Sequence, residues 1–122
     1  MKVYAFEDLY LLMEAKMTYQ DLVNYVLSNT DDISTFPLTK AKPKWFHAYV
    51  KDGEIFVENS KTMQPSCRIQ GTRPLLCSHF ETMYDYYRRR IEGERVSKEV
   101  THYDVCQAYW YGVIRAALIV NK

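Results

Sequence analysis

Two pairs of cysteine and histidine residues in the second half of the chain have side chains that could bind zinc. Cys77 and His79 form the first pair, and His102 and Cys106 form the second. Thiolate and imidazole are the ligands of structural zinc, and four of them complete its tetrahedral coordination. His102 and Cys106 would share one face of a helix because they lie four residues apart. Cys67 could replace one of these four ligands.

The same cysteines can also be explained as ordinary buried side chains, because a free cysteine behaves as a small hydrophobic residue. The chain has three cysteines and no secretory leader, so a disulfide framework is not expected. Asp104 stands where a helix N-cap would interrupt the face shared by His102 and Cys106. The sequence therefore leaves two interpretations open, an optional structural zinc site or thiols in the core, and no cofactor is required.

No arrangement of residues indicates an enzyme. A cysteine and histidine pair could act as a nucleophile and base, but no nucleophile elbow, glycine-rich phosphate loop or pair of carboxylates accompanies it. His47 alternates with Trp45 and Tyr49, a pattern that is typical of a histidine in a core or an interface. We therefore predict a protein without enzymatic activity.

A run of arginines followed by helical patterns could contact nucleic acid. The stretch YYRRRIEGERVSKEVTHYDVCQAYWYGVIRAAL places a basic helix, a glycine, a short helix and a longer helix in order. These residues, 86–118, resemble the helix-turn-helix modules of resolvases, transposases and phage regulators, in which the last helix enters the major groove. The resemblance implies base contacts from Gln107, Tyr111 and Arg115. The basic residues that would contact phosphates are Arg88, Arg89, Arg90, Arg95 and Lys98.

The arginine run also has a simpler explanation as a solvated cluster at a helix end, where basic side chains complement the helix dipole. The chain departs from helix-turn-helix modules at Val100 and Asp104, where those modules favour a small residue and a glycine. Tyr86 and Tyr111 fall off the apolar stripes of their helices, so we expect them on the surface. Aromatic and arginine side chains together are also typical of protein interfaces, which makes a protein partner a second interpretation.

The N-terminal part of the chain is acidic and has helical spacing. Apolar side chains recur at helical intervals over residues 6–16, and a second helix over residues 18–27 begins with a capping box of Thr18 and Asp21. Residues 1–36 contain two basic and six acidic side chains. We expect an acidic helical surface that could mimic the phosphates of a nucleic acid when it binds a protein partner.

The middle of the chain predicts a β-hairpin. Residues 44–50 and 54–59 flank Asp52-Gly53, whose tolerance of the left-handed conformation fits a type I′ turn. Both faces of the first strand are apolar, so we expect both to be covered. Residues 60–76 contain prolines and a glycine around residues 67–70 and allow one more short strand.

The remaining elements are helices. Ser78 and Glu81 predict a second capping box, which opens a helix with one apolar stripe that stops at Gly93. A short stretch over residues 96–101 follows. The last helix begins near Asp104 and keeps a 3.6-residue period for about four turns, with an apolar face wide enough to lie in the core.

The composition is that of one small domain, with 122 residues of which 48% are hydrophobic and 25% charged. We predict a single α+β domain over residues 1–122, with a small antiparallel sheet around the hairpin and about four helices. Its parts are an acidic helical part (1–36), a hairpin and loop (44–76) and a basic, aromatic helical part (78–120). No apolar run approaches the roughly 20 residues that span a bilayer, and no signal-peptide pattern is present, so we expect a cytoplasmic protein without membrane contact.

The charge distribution favours a binding protein. The net charge is only +1, but residues 68–122 contain nine basic and six acidic side chains. We predict a non-enzymatic nucleic-acid-binding accessory or regulatory protein of a phage or mobile element, monomeric or homodimeric. The alternative is an inhibitor that binds a nucleic-acid enzyme, similar in build to anti-CRISPR or anti-restriction proteins. The optional zinc site would stabilise either kind of protein.

Overall fold

The computed structural model describes residues 13, 17–35 and 42–120, and these residues form four α-helices and a four-stranded antiparallel sheet. The helices are α1 (Tyr19–Ser28), α2 (Phe80–Ile91), α3 (Ser97–Tyr103) and α4 (Gln107–Val120). The strands are β1 (Ile33–Ser34), β2 (Trp45–Lys51), β3 (Glu54–Asn59) and β4 (Arg73–Leu75). The predicted α+β class is confirmed. The helix predicted over residues 6–16 lies outside the described residues, except for Met13, which is buried in a helical conformation.

The sheet is a meander in which each strand pairs with the next one in the sequence. The predicted hairpin is confirmed, because β2 and β3 pair antiparallel from Phe46 opposite Asn59 to Lys51 opposite Glu54. Asp52 and Gly53 have φ angles of 53° and 78°, the positive values that a type I′ turn requires. The additional short strand also forms, but at Arg73–Leu75 rather than at residues 67–70.

The two faces of the sheet differ in burial. Phe46 and Ala48 on β2 are buried, as are Ile55 and Val57 on β3, whereas the residues that alternate with them are only half-buried. The expectation that both faces of β2 would be covered is therefore not met within the described residues. The buried face is the one that contacts the helices and forms the core.

Helix α1 is capped and attached to the sheet as its sequence dictates. Thr18 N donates to Asp21 Oδ2 at 2.8 Å and Asp21 N donates to Thr18 Oγ1 at 3.2 Å, which confirms the predicted capping box. The Tyr19 hydroxyl donates to Leu75 O at 2.6 Å and accepts a hydrogen bond from Ile55 N at 2.9 Å. One side chain at the start of α1 thus holds the helix against two neighbouring strands.

Helix α2 begins differently from its prediction. A 3-10 turn over Cys77–His79 leads into the helix, and the N-cap residue His79 makes no side-chain cap hydrogen bond. The capping box predicted from Ser78 and Glu81 was therefore wrong. The end of the helix is as predicted, since the helix ends at Ile91 and Gly93, two residues later, has a φ of 95°.

Helix α4 is the central helix of the core, as its apolar pattern predicts. Half of its residues are buried: Trp110, Tyr111, Gly112, Val113, Ile114, Ala117 and Leu118. A Cβ atom added to Gly112 would lie 2.9 Å from Ser34 O and 2.9 Å from Phe46 Cε1, so the helix backbone approaches the sheet closely there. In the described part of the chain, no helix has both the length and the apolar character needed to cross a membrane.

Candidate functional site

The face of α4 that was predicted to contact bases does not lie on the surface. Tyr111 is only 2% exposed, so the prediction that it is a surface residue was wrong. Gln107 and Arg115 are half-buried rather than exposed, and so is Tyr86 on α2. Because a recognition helix must present an exposed face to the major groove, α4 lacks the face that the resemblance implied.

Two residues of the arginine run form ion pairs within the chain. Arg88 Nη2 lies 2.6 Å from Asp85 Oδ1, and Arg88 Nη1 lies 3.1 Å from Glu92 Oε2. Arg89 Nε lies 3.1 Å from Glu94 Oε1. Exposed pairs of this kind contribute little to stability, but a phosphate would have to compete with these carboxylates for the arginines. The charge of this part of the run is largely compensated by its own neighbours.

Arg90 has a different environment from the two residues before it. Its guanidinium lies over the ring of Tyr111 at 4.7 Å from the centroid, a cation–π geometry. Tyr87 packs against the same ring with a centroid distance of 5.2 Å. Burial raises the pKa of Tyr87 to about 12, although the nearby charges of Arg115 and Arg90 oppose that rise. No carboxylate among the described residues pairs with Arg90.

The structure brings together four cations that the sequence pattern did not group. Two adjoining depressions lie between the start of β2, the loop before β4 and helix α4, with volumes of about 930 and 560 Å³. They share Cys67, Arg68 and Tyr109 as lining residues, and we call them together the basic groove. The cations that line the basic groove are Lys44, Arg68, Arg73 and Arg90.

The charge of the basic groove is uncompensated within the described residues. No aspartate or glutamate of the described ranges lines either depression. Lys44, Arg68 and Arg73 are exposed, and none of the three pairs with a carboxylate in those ranges. Like charges that converge on a concave surface with low-dielectric walls focus the electrostatic potential and attract anions.

The loop before β4 presents its polar residues to the groove by simple alternation. Cys67 and Ile69 are buried, while Arg68 and Gln70 are exposed. Two backbone hydrogen bonds attach the loop to Trp45 at the start of β2: Trp45 N donates to a loop carbonyl at 2.9 Å, and Cys67 N donates to Trp45 O at 2.7 Å. The sequence allowed a short strand in this segment. The alternation of apolar and polar residues over positions 67–70 is the pattern that could have identified Arg68 as outward-facing.

Amide and aromatic side chains complete the groove. Gln64 and Gln70 are exposed and make no side-chain hydrogen bond to another described residue. Gln107 lines the second depression, and its Nε2 donates to Thr101 Oγ1 at 2.8 Å, which leaves its carbonyl oxygen available. Tyr109 is half-buried and contacts Phe46 edge-on at a centroid distance of 5.3 Å. Burial raises the pKa of Tyr109, so its hydroxyl stays neutral at physiological pH.

The predicted zinc ligands occupy unlike environments. Cys77 and His102 are exposed, whereas Cys106 is buried, and burial raises the pKa of the Cys106 thiol to about 11. A thiol with a raised pKa keeps its proton, while zinc binds the thiolate. No group of three or more metal-ligating side chains is assembled among the described residues. Structural zinc therefore stays a prediction.

The histidine of the first predicted zinc pair contacts an aspartate. His79 Nδ1 lies 3.0 Å from Asp104 Oδ2, and Trp110 Nε1 donates to the same oxygen at 2.8 Å. Asp104 Oδ1 accepts a hydrogen bond from Cys106 N at 2.8 Å, in the turn that leads into α4. Asp104 thus joins the start of α2 to the junction of α3 and α4. Asp104 lies near the start of the last helix, as predicted. Its carboxylate contacts three groups, which are His79 Nδ1, Cys106 N and Trp110 Nε1.

One acidic residue of the N-terminal part does not contribute to the predicted acidic surface. Asp32 is buried, with its side chain 1% exposed, and its carboxylate accepts hydrogen bonds from the N–H groups of Lys61, Thr62 and Met63 at 2.8 to 3.0 Å. His47 Nδ1 lies 3.2 Å from the same carboxylate. Three further acidic residues of this part of the chain lie outside the described residues. Asp32 therefore stabilises the fold and cannot act as a phosphate mimic.

The basic groove is the candidate functional site. Of the residues predicted as nucleic-acid contacts, Arg90, Gln107 and Tyr111 line the basic groove. Tyr111 is buried there, with the guanidinium of Arg90 over its ring. Arg95 and Lys98 are exposed but do not line it. No protein-family model matches the chain, and neither curated proteins nor solved structures give a match.

Proposed function

We propose that this protein is a non-enzymatic nucleic-acid-binding protein that contacts phosphates through the basic groove, in an accessory or regulatory role. The observation that supports the proposal is the convergence of four cations on one concave surface without a carboxylate from the described residues. Phosphate contacts from lysine and arginine supply most of the affinity of non-specific nucleic-acid binding. The proposed contacts replace those of the helix-turn-helix hypothesis, because α4 is buried where that hypothesis needs it exposed.

Binding of phosphates in the groove should depend steeply on the salt concentration. Each phosphate contact releases condensed counterions, so log K falls with log salt concentration by about 0.9 per contact on duplex and about 0.7 on a single strand. Four contacts predict that affinity falls by roughly 50- to 150-fold between 50 and 200 mM salt. A ligand that binds the groove by shape and apolar contact alone would show almost no such dependence.

The test compares two double variants with the same change in charge. Arg68→Gln/Arg73→Gln removes two exposed cations of the groove, and Arg95→Gln/Lys98→Gln removes two exposed cations outside it. Binding is measured by fluorescence anisotropy with labelled 20-nucleotide DNA and RNA, single-stranded and duplex, at 50 and 200 mM salt. We expect the groove variant to bind roughly tenfold more weakly or worse and to lose about one unit of salt slope per residue, with the control near wild type.

Three results would contradict the proposal. Absence of binding at 50 mM salt to all four probes would remove nucleic acid as the ligand. Equal loss in both double variants would place the phosphates outside the groove. Tight binding of a polyglutamate peptide in place of the oligonucleotides would indicate an acidic protein as the partner.

A further inference from the structure

We infer that the basic groove, if the proposed function holds, takes a single strand or an unpaired nucleotide and not the backbone of a duplex. The groove is concave, and its two depressions measure about 930 and 560 Å³. Sites of roughly 300–1,000 Å³ enclose most of the surface of small organic ligands. The depressions are open to solvent and large enough to hold a nucleotide, whereas the wide, rigid duplex would contact mainly their rim.

The side chains between the cations suit exposed bases. Gln64 and Gln70 line the first depression and Gln107 lines the second, and each offers an amide group to a ligand. Amides can hydrogen-bond to the Watson–Crick edges of bases, and those edges are accessible only when a base is unpaired. In a duplex, the phosphates would meet the arginines while these amides would face water.

Tyr109 occupies the position of a stacking platform. It lines both depressions, and its ring contacts that of Phe46 in an edge-to-face arrangement. Sequence-independent binding of single strands combines a basic channel with aromatic rings on which successive bases stack. The basic groove has both parts, since Arg68 and Tyr109 line each depression.

The burial of α4 also favours a single strand over a duplex as the ligand. Direct reading of a duplex needs a protruding helix or β-ribbon that enters the major groove. Within the groove, α4 contributes Gln107, Ala108, Tyr109 and Tyr111 as part of its walls, and the middle of the helix packs against the sheet. The element that would have to protrude therefore forms the wall of a depression instead.

The experiment measures the affinities of a 15-nucleotide single strand, as dT15 and as rU15, and of a 15-base-pair duplex at one salt concentration. We expect the single strands to bind at least tenfold more tightly than the duplex. The full-length Tyr109→Leu variant should weaken single-strand binding by about fivefold or more and change duplex binding less than twofold. The matched Tyr109→Phe variant keeps the ring and should bind single strands like the wild type.

The outcomes separate this inference from the proposed function. If the duplex binds as tightly as the single strands while Arg68→Gln/Arg73→Gln still weakens it, the groove binds nucleic acid and the inference is wrong. If no probe binds, the proposed function itself fails. If Tyr109→Leu does not fold, Gln64→Ala/Gln70→Ala on the exposed rim gives the same comparison, and an equal effect on both ligand types would overturn the inference.

Discussion

Replacement of Asp32 by asparagine tests the most densely hydrogen-bonded side chain of the described structure. The carboxylate accepts the N–H groups of three successive residues, accepts the Thr62 hydroxyl at 3.3 Å, and lies 3.2 Å from His47 Nδ1. An asparagine keeps one acceptor oxygen and turns an NH₂ group toward the other donors. Oδ2 alone accepts all three N–H groups, so an asparagine oxygen in its place keeps them as bonds to a neutral acceptor. The NH₂ group then faces Lys61 N and His47 Nδ1.

The size of the effect follows from those contacts. A hydrogen bond to a charged group contributes about 1.5–3 kcal/mol, against about 0.5–1.5 kcal/mol for one between neutral groups. Three backbone hydrogen bonds change from a charged to a neutral acceptor, at about 1 kcal/mol each, so we expect Asp32→Asn to lower the free energy of unfolding by about 3 kcal/mol. The matched control is Asp31→Asn, which makes the same chemical change one residue away at an exposed position and should cost less than about 0.5 kcal/mol.

The pH dependence gives the prediction a second measurement. Burial by itself would raise the pKa of Asp32, but the hydrogen bonds from the loop N–H groups and from His47 outweigh it and hold that pKa well below its ordinary range. The stabilisation is therefore complete above the ordinary aspartate pKa of about 4 and is lost as the pH falls below that value, because the unfolded chain takes up the proton first.

Urea unfolding, followed by tryptophan fluorescence between pH 2 and 7, measures both effects. The difference in the free energy of unfolding between wild type and Asp32→Asn should be largest near pH 7 and should become smaller as the pH falls below about 4. A gap under about 1 kcal/mol at pH 7, or one that does not change with pH, would refute the reasoning. If Asp31→Asn shows no such pH-dependent difference from wild type, the effect is specific to the Asp32 carboxylate.

Three further predictions concern packing, bridging and thiol chemistry. Gly112→Ala places a Cβ atom 2.9 Å from Ser34 O, and overpacking of this kind costs about 1–3 kcal/mol. Helix propensity returns up to about 1 kcal/mol, so urea unfolding should show a net loss of up to about 2 kcal/mol, and a gain in stability would contradict the close approach. Tyr19→Phe removes the hydroxyl shared by Leu75 O and Ile55 N and should cost about 1–3 kcal/mol in the same assay; no loss would contradict the bridge. With a disulfide reagent at pH 8, Cys77 should react fast and the two buried thiols slowly, and Cys77→Ser should remove the fast phase.

Local chemistry explains which elements could be predicted. The Asp52-Gly53 turn requires two positive φ angles, and few residue pairs accept them, so the hairpin is encoded within a few residues. The Thr18 capping box is equally local. The similar box at Ser78 failed because the chain enters α2 through a 3-10 turn, which moves the cap to His79, and nothing within those few residues reveals that turn.

The site depends on tertiary contacts that spacing does not reveal. Helix α4 is apolar around much of its circumference, so its sequence could not indicate that Tyr111 faces Arg90 and not solvent. The cations of the basic groove come from four separate parts of the chain, and only Arg90 belongs to the conspicuous arginine run. Arg88 and Arg89 were predicted to contact phosphates because they belong to a run of basic residues in the sequence. In the structure, carboxylates of their own helix and of the turn after it pair with them.

The shortness of the two outer strands has a consequence for how the protein meets other copies of itself. An open sheet edge exposes unpaired N–H and C=O groups, and a second chain can add a strand to them. Here the edges of the described sheet are β1, with two residues, and β4, with three, and Pro74 in the middle of β4 has no N–H to offer. The sheet is thus protected against strand-by-strand growth into aggregates, and a homodimer would have to form through surfaces other than these edges.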